Sequence, residues 1–243
     1  MTFYDLWNEA KKIGINQDSF FADFLSGTEQ SLKPLYFGTN EELFCFCKLM
    51  LDIPVGGFIN SIVDHGYILK PEDVIQFSDF EHAIFDVNRI IKLGNKDMTF
   101  TEIGKEIMNC KLEGACKKYG ENHSKLASQL SLVRLERNGC FLVSNTNFGS
   151  YSVSLSKEDK IEIVKRLALR NHFIQKVILD AKNGNCDYQQ LTHGILSAST
   201  ATRRKSNVKY LVLLILSHTS DEYLIKKSSY LHTREEFRRV LNH

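Results

Sequence analysis

Thr200, Arg203, Arg204 and Asn207 are the residues whose types and spacing carry the clearest chemistry in this chain. Spacings of three and four place them along one side of a helix, where such side chains are neighbours. An arginine guanidinium can fork onto guanine O6 and N7, and an asparagine amide onto adenine N6 and N7. A threonine hydroxyl, or an ammonium such as that of Lys209, can hold a phosphate oxygen. Ser197 or Ser199 would cap this helix by accepting a hydrogen bond from a first-turn N–H. Ala201, Val208, Leu211, Val212 and Ile215 recur at helical spacing and define the stripe that faces a core. A solvated basic face is the plain alternative reading.

A second candidate surface lies about eighty residues earlier. Tyr119-Gly120-Glu121-Asn122-His123-Ser124-Lys125-Leu126-Ala127-Ser128-Gln129-Leu130 reads as a helix with Leu126, Ala127, Leu130 and Val133 inward. Asn122, His123, Lys125, Ser128 and Gln129 are then expected outward, in position to touch bases or phosphates.

The elements that must position these two helices follow the same order twice. Phe80 to Leu93 is an amphipathic helix, Met98-Thr99-Phe100 a short extended piece, and Thr101 to Met108 a second helix with Thr101 as its cap. Cys140 to Ser144 and Tyr151 to Ser154, flanking the turn-rich Asn145 to Gly149, are expected to form a hairpin. In the later copy a single amphipathic run from about Ile161 to Ala181 precedes a short helix, Tyr188 to Gly194, and then the basic helix. Glu222 to Lys227 and Ser229 to His232 would form its hairpin, with Lys226 and Lys227 gripping phosphate.

Composition supports a mostly helical chain with real cores. It has 243 residues, 43% of them apolar, only 3 prolines and no flexible tract. The net charge of +2 hides an asymmetry. Residues 1–80 hold 5 Lys and no Arg against 12 acids, a net of −7, whereas residues 81–243 hold 26 bases against 17 acids, a net of +9. The basic part suits DNA, and the acidic part suits a protein partner. Aromatic stripes in that acidic third (Phe3, Leu6, Trp7; Phe20, Phe21, Phe24) point to a helical N-terminal domain over 1–79, with a degenerate copy of the same unit as the alternative. Residues 80–156 and 157–243 are the expected first and second copies.

Several function classes find no support in the residues. The segments Glu9-Ala10-Lys11, Glu158-Asp159-Lys160 and Asp180-Ala181-Lys182 have letters of a metal-dependent nuclease, but each lies in a helical pattern with no Asp-bearing strand before it. There is no glycine-rich phosphate loop and no Gly-x-Ser-x-Gly elbow. Catalytic residues, cofactors and metal ligands are therefore expected to be none, although Cys110, Cys116 and His123 could meet if the intervening loop folded back. No apolar run is long enough to span a bilayer, no signal peptide is legible, and six cysteines form no dense framework, so a cytoplasmic protein is expected.

Glu102-Ile103-Gly104, the Tyr119 to Ala127 segment, and Ser199-Thr200 followed by Arg203-Arg204 occur in this order within residues 81–232. This arrangement resembles tandem winged-helix DNA-binding proteins associated with bacterial restriction-modification and phage-defence systems. The resemblance implies a mainly α fold of helix-turn-helix units with β-wings, and double-stranded DNA as the ligand. It also implies a role as target-recognition component for a nuclease or methyltransferase on another chain, docked through residues 1–79. A protein adapter built from winged helices, a plasmid replication initiator and a transcription repressor are the alternatives.

Overall fold

The computed structural model describes residues 17–26, 29–109, 111–184, 186–217, 219, 221–222 and 224–225. In chain order the α-helices and strands are α1 (Gln17–Ser26), α2 (Glu29–Phe37), α3 (Asn40–Asp52), α4 (Val55–Asn60), α5 (Val87–Gly94), β1 (Met98–Thr99), α6 (Phe100–Met108), α7 (Glu113–Gln129), β2 (Val133–Asn138), β3 (Cys140–Asn145), α8 (Asn147–Tyr151), α9 (Lys157–Ala168), α10 (His172–Lys182), α11 (Tyr188–Thr192) and α12 (Ala198–Leu216). A π-helical turn, His82–Asp86, leads into α5. The chain is mainly α, with one small sheet among the described residues.

Contacts divide the chain into two units, one holding 29–52 and 76–164, the other 17–26, 53–75 and 165–225 of the described residues. The described residues of the expected 1–79 domain are divided between both units, and its expected first stripe (Phe3, Leu6, Trp7) lies outside the described residues. In the first unit Phe46 of α3 meets Phe148 edge-on at 6.0 Å. In the second, Phe21 and Phe24 of α1 pack on Phe58 of α4 at 4.9 and 5.1 Å.

In the first unit α6 starts at a reciprocal cap. The Glu102 N–H donates to Thr99 Oγ1 at 3.3 Å and the Thr99 N–H donates to Glu102 Oε2 at 2.7 Å, so Thr99 and not Thr101 is the cap. Helices α6 and α7 approach so closely that a Cβ on Gly104 would lie 1.8 Å from the Cys116 carbonyl oxygen, and one on Gly120 1.8 Å from that of Phe100. Glycine inside a helix costs stability unless backbone must come this near. Cys116 is buried and disulfide-bonded, and Cys110 lies outside the described residues.

The sheet has the order β1-β3-β2, antiparallel throughout, with Met98 opposite Val143 and Val133 opposite Asn145. The hairpin is thus Val133–Asn138 with Cys140–Asn145, turning at Gly139 (φ +75°), and not the later pair of segments that the sequence suggests. The Asn-Thr-Asn stretch that reads as a turn is a helix start: Thr146 Oγ1 accepts from the Gly149 N–H at 2.8 Å, so 147–151 coils.

The second unit is helical among its described residues. The expected single run from Ile161 to Ala181 is two helices, because the Asn171 side chain accepts from the Ile174 N–H at 3.0 Å and restarts the chain as α10. Asp187 caps α11 and Ser197 caps α12. Glu222, Leu224 and Ile225, expected in a strand, are helical, with the Leu224 N–H donating to Asp221 Oδ1 at 2.9 Å. Lys226, Lys227 and the rest of that expected hairpin lie outside the described residues.

Candidate nucleic-acid interface

Helix α7 begins at Glu113, six residues before the segment that reads as helical, and Gly120 inside it is the point of contact with α6. The extension adds Lys117 and Lys118, both exposed, to the outer side of the helix. Nothing in their local sequence separates them from a loop. Only the close packing of α6 on α7 reveals that they belong to the same face as Lys125.

Lys125 and Gln129 are exposed, as the sequence suggests, whereas Ser128 is half-buried. Asn122 and His123 are not outward: they are 8% and 0% exposed. His123 sits at the inner edge of α7, where its Nε2 accepts the Asp79 backbone N–H at 3.1 Å and its ring stands edge-on to His82 at 5.7 Å. Burial, and then the charge of His82, push its pKa down to about 4, so the ring is neutral at pH 7. His123 thus ties α7 to the segment around Asp79.

The face of α7 is partly neutralised from within. Lys125 Nζ lies 2.6 Å from Glu121 Oε1, and Lys118 Nζ 3.4 Å from Oε2. Partial burial works against the Glu121 carboxylate, but the hydrogen bond and charge of Lys125 dominate and hold it below the usual range. The hairpin contributes Arg134 and Arg137. Arg134 is committed to structure, its Nη2 donating to the Tyr36 carbonyl at 2.7 Å and its guanidinium lying 4.8 Å from the Phe37 ring centre. Arg137 is exposed.

No family model, no curated protein and no solved structure matches this chain.

In the second unit Ser197 Oγ accepts the Thr200 N–H at 3.4 Å and opens α12. Ser199 and Arg203 are exposed, and Arg203 Nη2 donates to Thr200 Oγ1 at 3.3 Å, which holds the guanidinium over the start of the helix. Val208, Leu211, Val212 and Ile215 are buried as expected, with Ala201 half-buried. Arg204 departs from its expected role: its Nη1 donates to the carbonyls of Pro71 and Val74 at 2.7 and 2.8 Å. Burial lowers its pKa. Lys209 is buried too, because from Val208 onward α12 is apolar on almost every side and its neighbours close over the lysine stem. Asn207 is half-buried.

Of the cations expected to touch DNA, Lys125 and Arg203 are therefore outward, and Arg204 and Lys209 are not. Lys105, Lys117, Lys118 and Arg137 join the exposed set in the first unit. Among the described residues no group of three His, Cys, Asp or Glu side chains is placed to hold a metal ion. No helix among them is long and apolar enough to cross a membrane.

Proposed function

We propose that this chain recognises double-stranded DNA without chemistry of its own, using the first unit as a winged helix whose α7 enters the major groove. The observation that carries the reading is the order helix, strand, helix, helix, hairpin, with β1 bonded to β3 and the hairpin projecting beside α7. Lys117, Lys118, Lys125 and Gln129 supply phosphate and base contacts from the helix, and Arg203 with Ser199 and Thr200 supplies them from α12. Within this reading the chain is the target-recognition component of a restriction or phage-defence system. A nuclease or methyltransferase subunit is its partner, and Phe37 and Phe44, 66% and 59% exposed, are apolar side chains such a subunit would cover.

Binding to random duplex across a salt series tests this. Each neutralised phosphate contributes about −0.9 to the slope of log affinity against log salt, so Lys118→Gln with Lys125→Gln should flatten the slope by about 2. The internal ion pairs of Glu121 favour a second reading, a protein adapter whose α7 face is deliberately near neutral. An adapter shows no salt-dependent affinity for duplex, and that result would replace the first reading.

A further inference from the structure

We propose that the tip of the β2–β3 hairpin docks an unpaired nucleotide, so that the preferred target is duplex DNA bordered by a single-stranded extension. The proposal rests on the DNA-binding reading above and specifies its substrate. Arg137 and Phe141 stand directly opposite each other in the ladder, one pair before the Gly139 turn. Opposed residues project from the same face of a sheet, and residues two apart share that face. Leu135 with Val143, and Val133 with Asn145, are on it as well, and Val133 and Val143 are wholly buried. The Arg137 and Phe141 pair therefore continues the core-facing side of the hairpin beyond the edge of the core.

There the Phe141 ring is backed but not enclosed. It stacks on Phe100 at 5.4 Å with 22° between the planes, yet is 40% exposed, whereas Phe100 is 5% exposed. The Arg137 guanidinium lies 5.8 Å from the Phe141 ring centre and is open to solvent. The hairpin's carboxylate, Glu136, alternates to the opposite face and does not oppose this charge. An aromatic ring held rigid from behind, with a guanidinium over it, suits a planar base stacked on the ring and the phosphate attached to that base. Paired bases inside a duplex have both faces covered by their neighbours, so the base that fits is an unpaired one.

The test uses the full chain and fluorescence anisotropy at one salt concentration. It compares a short blunt duplex with the same duplex carrying a 3′ or a 5′ single-stranded extension. The extension should raise affinity on the order of five- to a hundredfold, the range for one base stacked on an aromatic side chain. Phe141→Leu keeps an apolar cover over Phe100 and should abolish this gain while leaving blunt-duplex affinity unchanged. Phe141→Trp should preserve it. Arg137→Gln should lower the salt slope on extended DNA by about one. Equal affinity for blunt and extended DNA, or a gain that survives Phe141→Leu, overturns the hairpin proposal and leaves duplex recognition standing. Absence of binding to every one of these DNAs overturns both.

Discussion

Lys160 and Asn88, both buried, meet through a 3.2 Å hydrogen bond from Nζ to Oδ1. The Asn88 amide nitrogen in turn donates to the Gly149 carbonyl at 2.7 Å and to Ser152 Oγ at 3.0 Å, so one side chain joins α5, α9, α8 and the turn after α8. Removing either member has opposite consequences. Lys160→Met replaces a buried ammonium with an apolar chain of similar length, and denaturant unfolding at pH 7 should show stability within about 1 kcal/mol of the parent or above it. Asn88→Ala strands the ammonium and should cost about 2–3 kcal/mol.

The same lysine sets an alkaline slope. Burial, opposed by the Asp86 charge, pulls its pKa down from 10.5 to about 7. Between those values the unfolded chain binds the extra proton, so this group makes stability rise with pH, by up to about 1.4 kcal/mol per unit. Urea midpoints at pH 7 and 9 should separate the parent from Lys160→Met, with the gap between them changing in favour of the parent at the higher pH. An identical gap at both values would mean the amine is solvated.

His123 gives the acid counterpart. Its folded pKa of about 4 lies below the ordinary 6.5, so the unfolded state is the better proton binder in that window. Stability contributed by the neutral ring is full above about 6.5 and is lost progressively as pH falls towards 4. His123→Leu should be less stable than the parent at pH 7, by about 1–2 kcal/mol for the acceptor lost by the Asp79 N–H. It should also lose less between pH 7 and 5 than the parent does. Parallel pH profiles for the two proteins would contradict the burial of this ring.

Three glycines in α6 and α7 make a controlled comparison. Gly104→Ala and Gly120→Ala each drive a methyl group into a carbonyl oxygen, and should cost more than about 3 kcal/mol or prevent folding. Gly114→Ala, with nothing within 4 Å, should stabilise by about 0.5–1 kcal/mol through helix propensity alone. Melting temperatures rank the three directly, and equal values would mean that α6 and α7 are not in this contact.

Arg203 and Arg204 should separate binding from folding. Arg203→Ala should leave thermal stability within about 0.5 kcal/mol and weaken DNA affinity. Arg204→Ala leaves two carbonyls of the 71–74 turn without their donor and should cost about 1–3 kcal/mol. A duplex titration beside a denaturant curve for each variant checks both statements, and loss of affinity without loss of stability in Arg204→Ala would return that arginine to the binding surface.

What the sequence determined by itself is the set of features that depend on near neighbours. Ser197 starts α12 because a hydroxyl beside free N–H groups caps whatever follows, and Leu126, Ala127 and Leu130 face inward because helical spacing forces them to share a side. The positions of α5, α6, α11 and α12 follow from such local rules. What only the tertiary structure decided is every feature whose partner is distant along the chain. The strand Val133–Asn138 is masked by Arg134, Glu136 and Arg137, and becomes a strand because β3 lies in register beside it. The outward side of α7 could not be assigned from spacing, since His123 differs from a surface residue only in meeting the segment around Asp79, 44 residues away. Arg204 and Arg203 are adjacent and chemically identical, yet one binds carbonyls 133 and 130 positions earlier in the chain and the other is exposed. Periodicity reports which side of an element is apolar. Which polar groups are consumed inside the fold depends on carbonyls and amides that tertiary packing brings within hydrogen-bond reach.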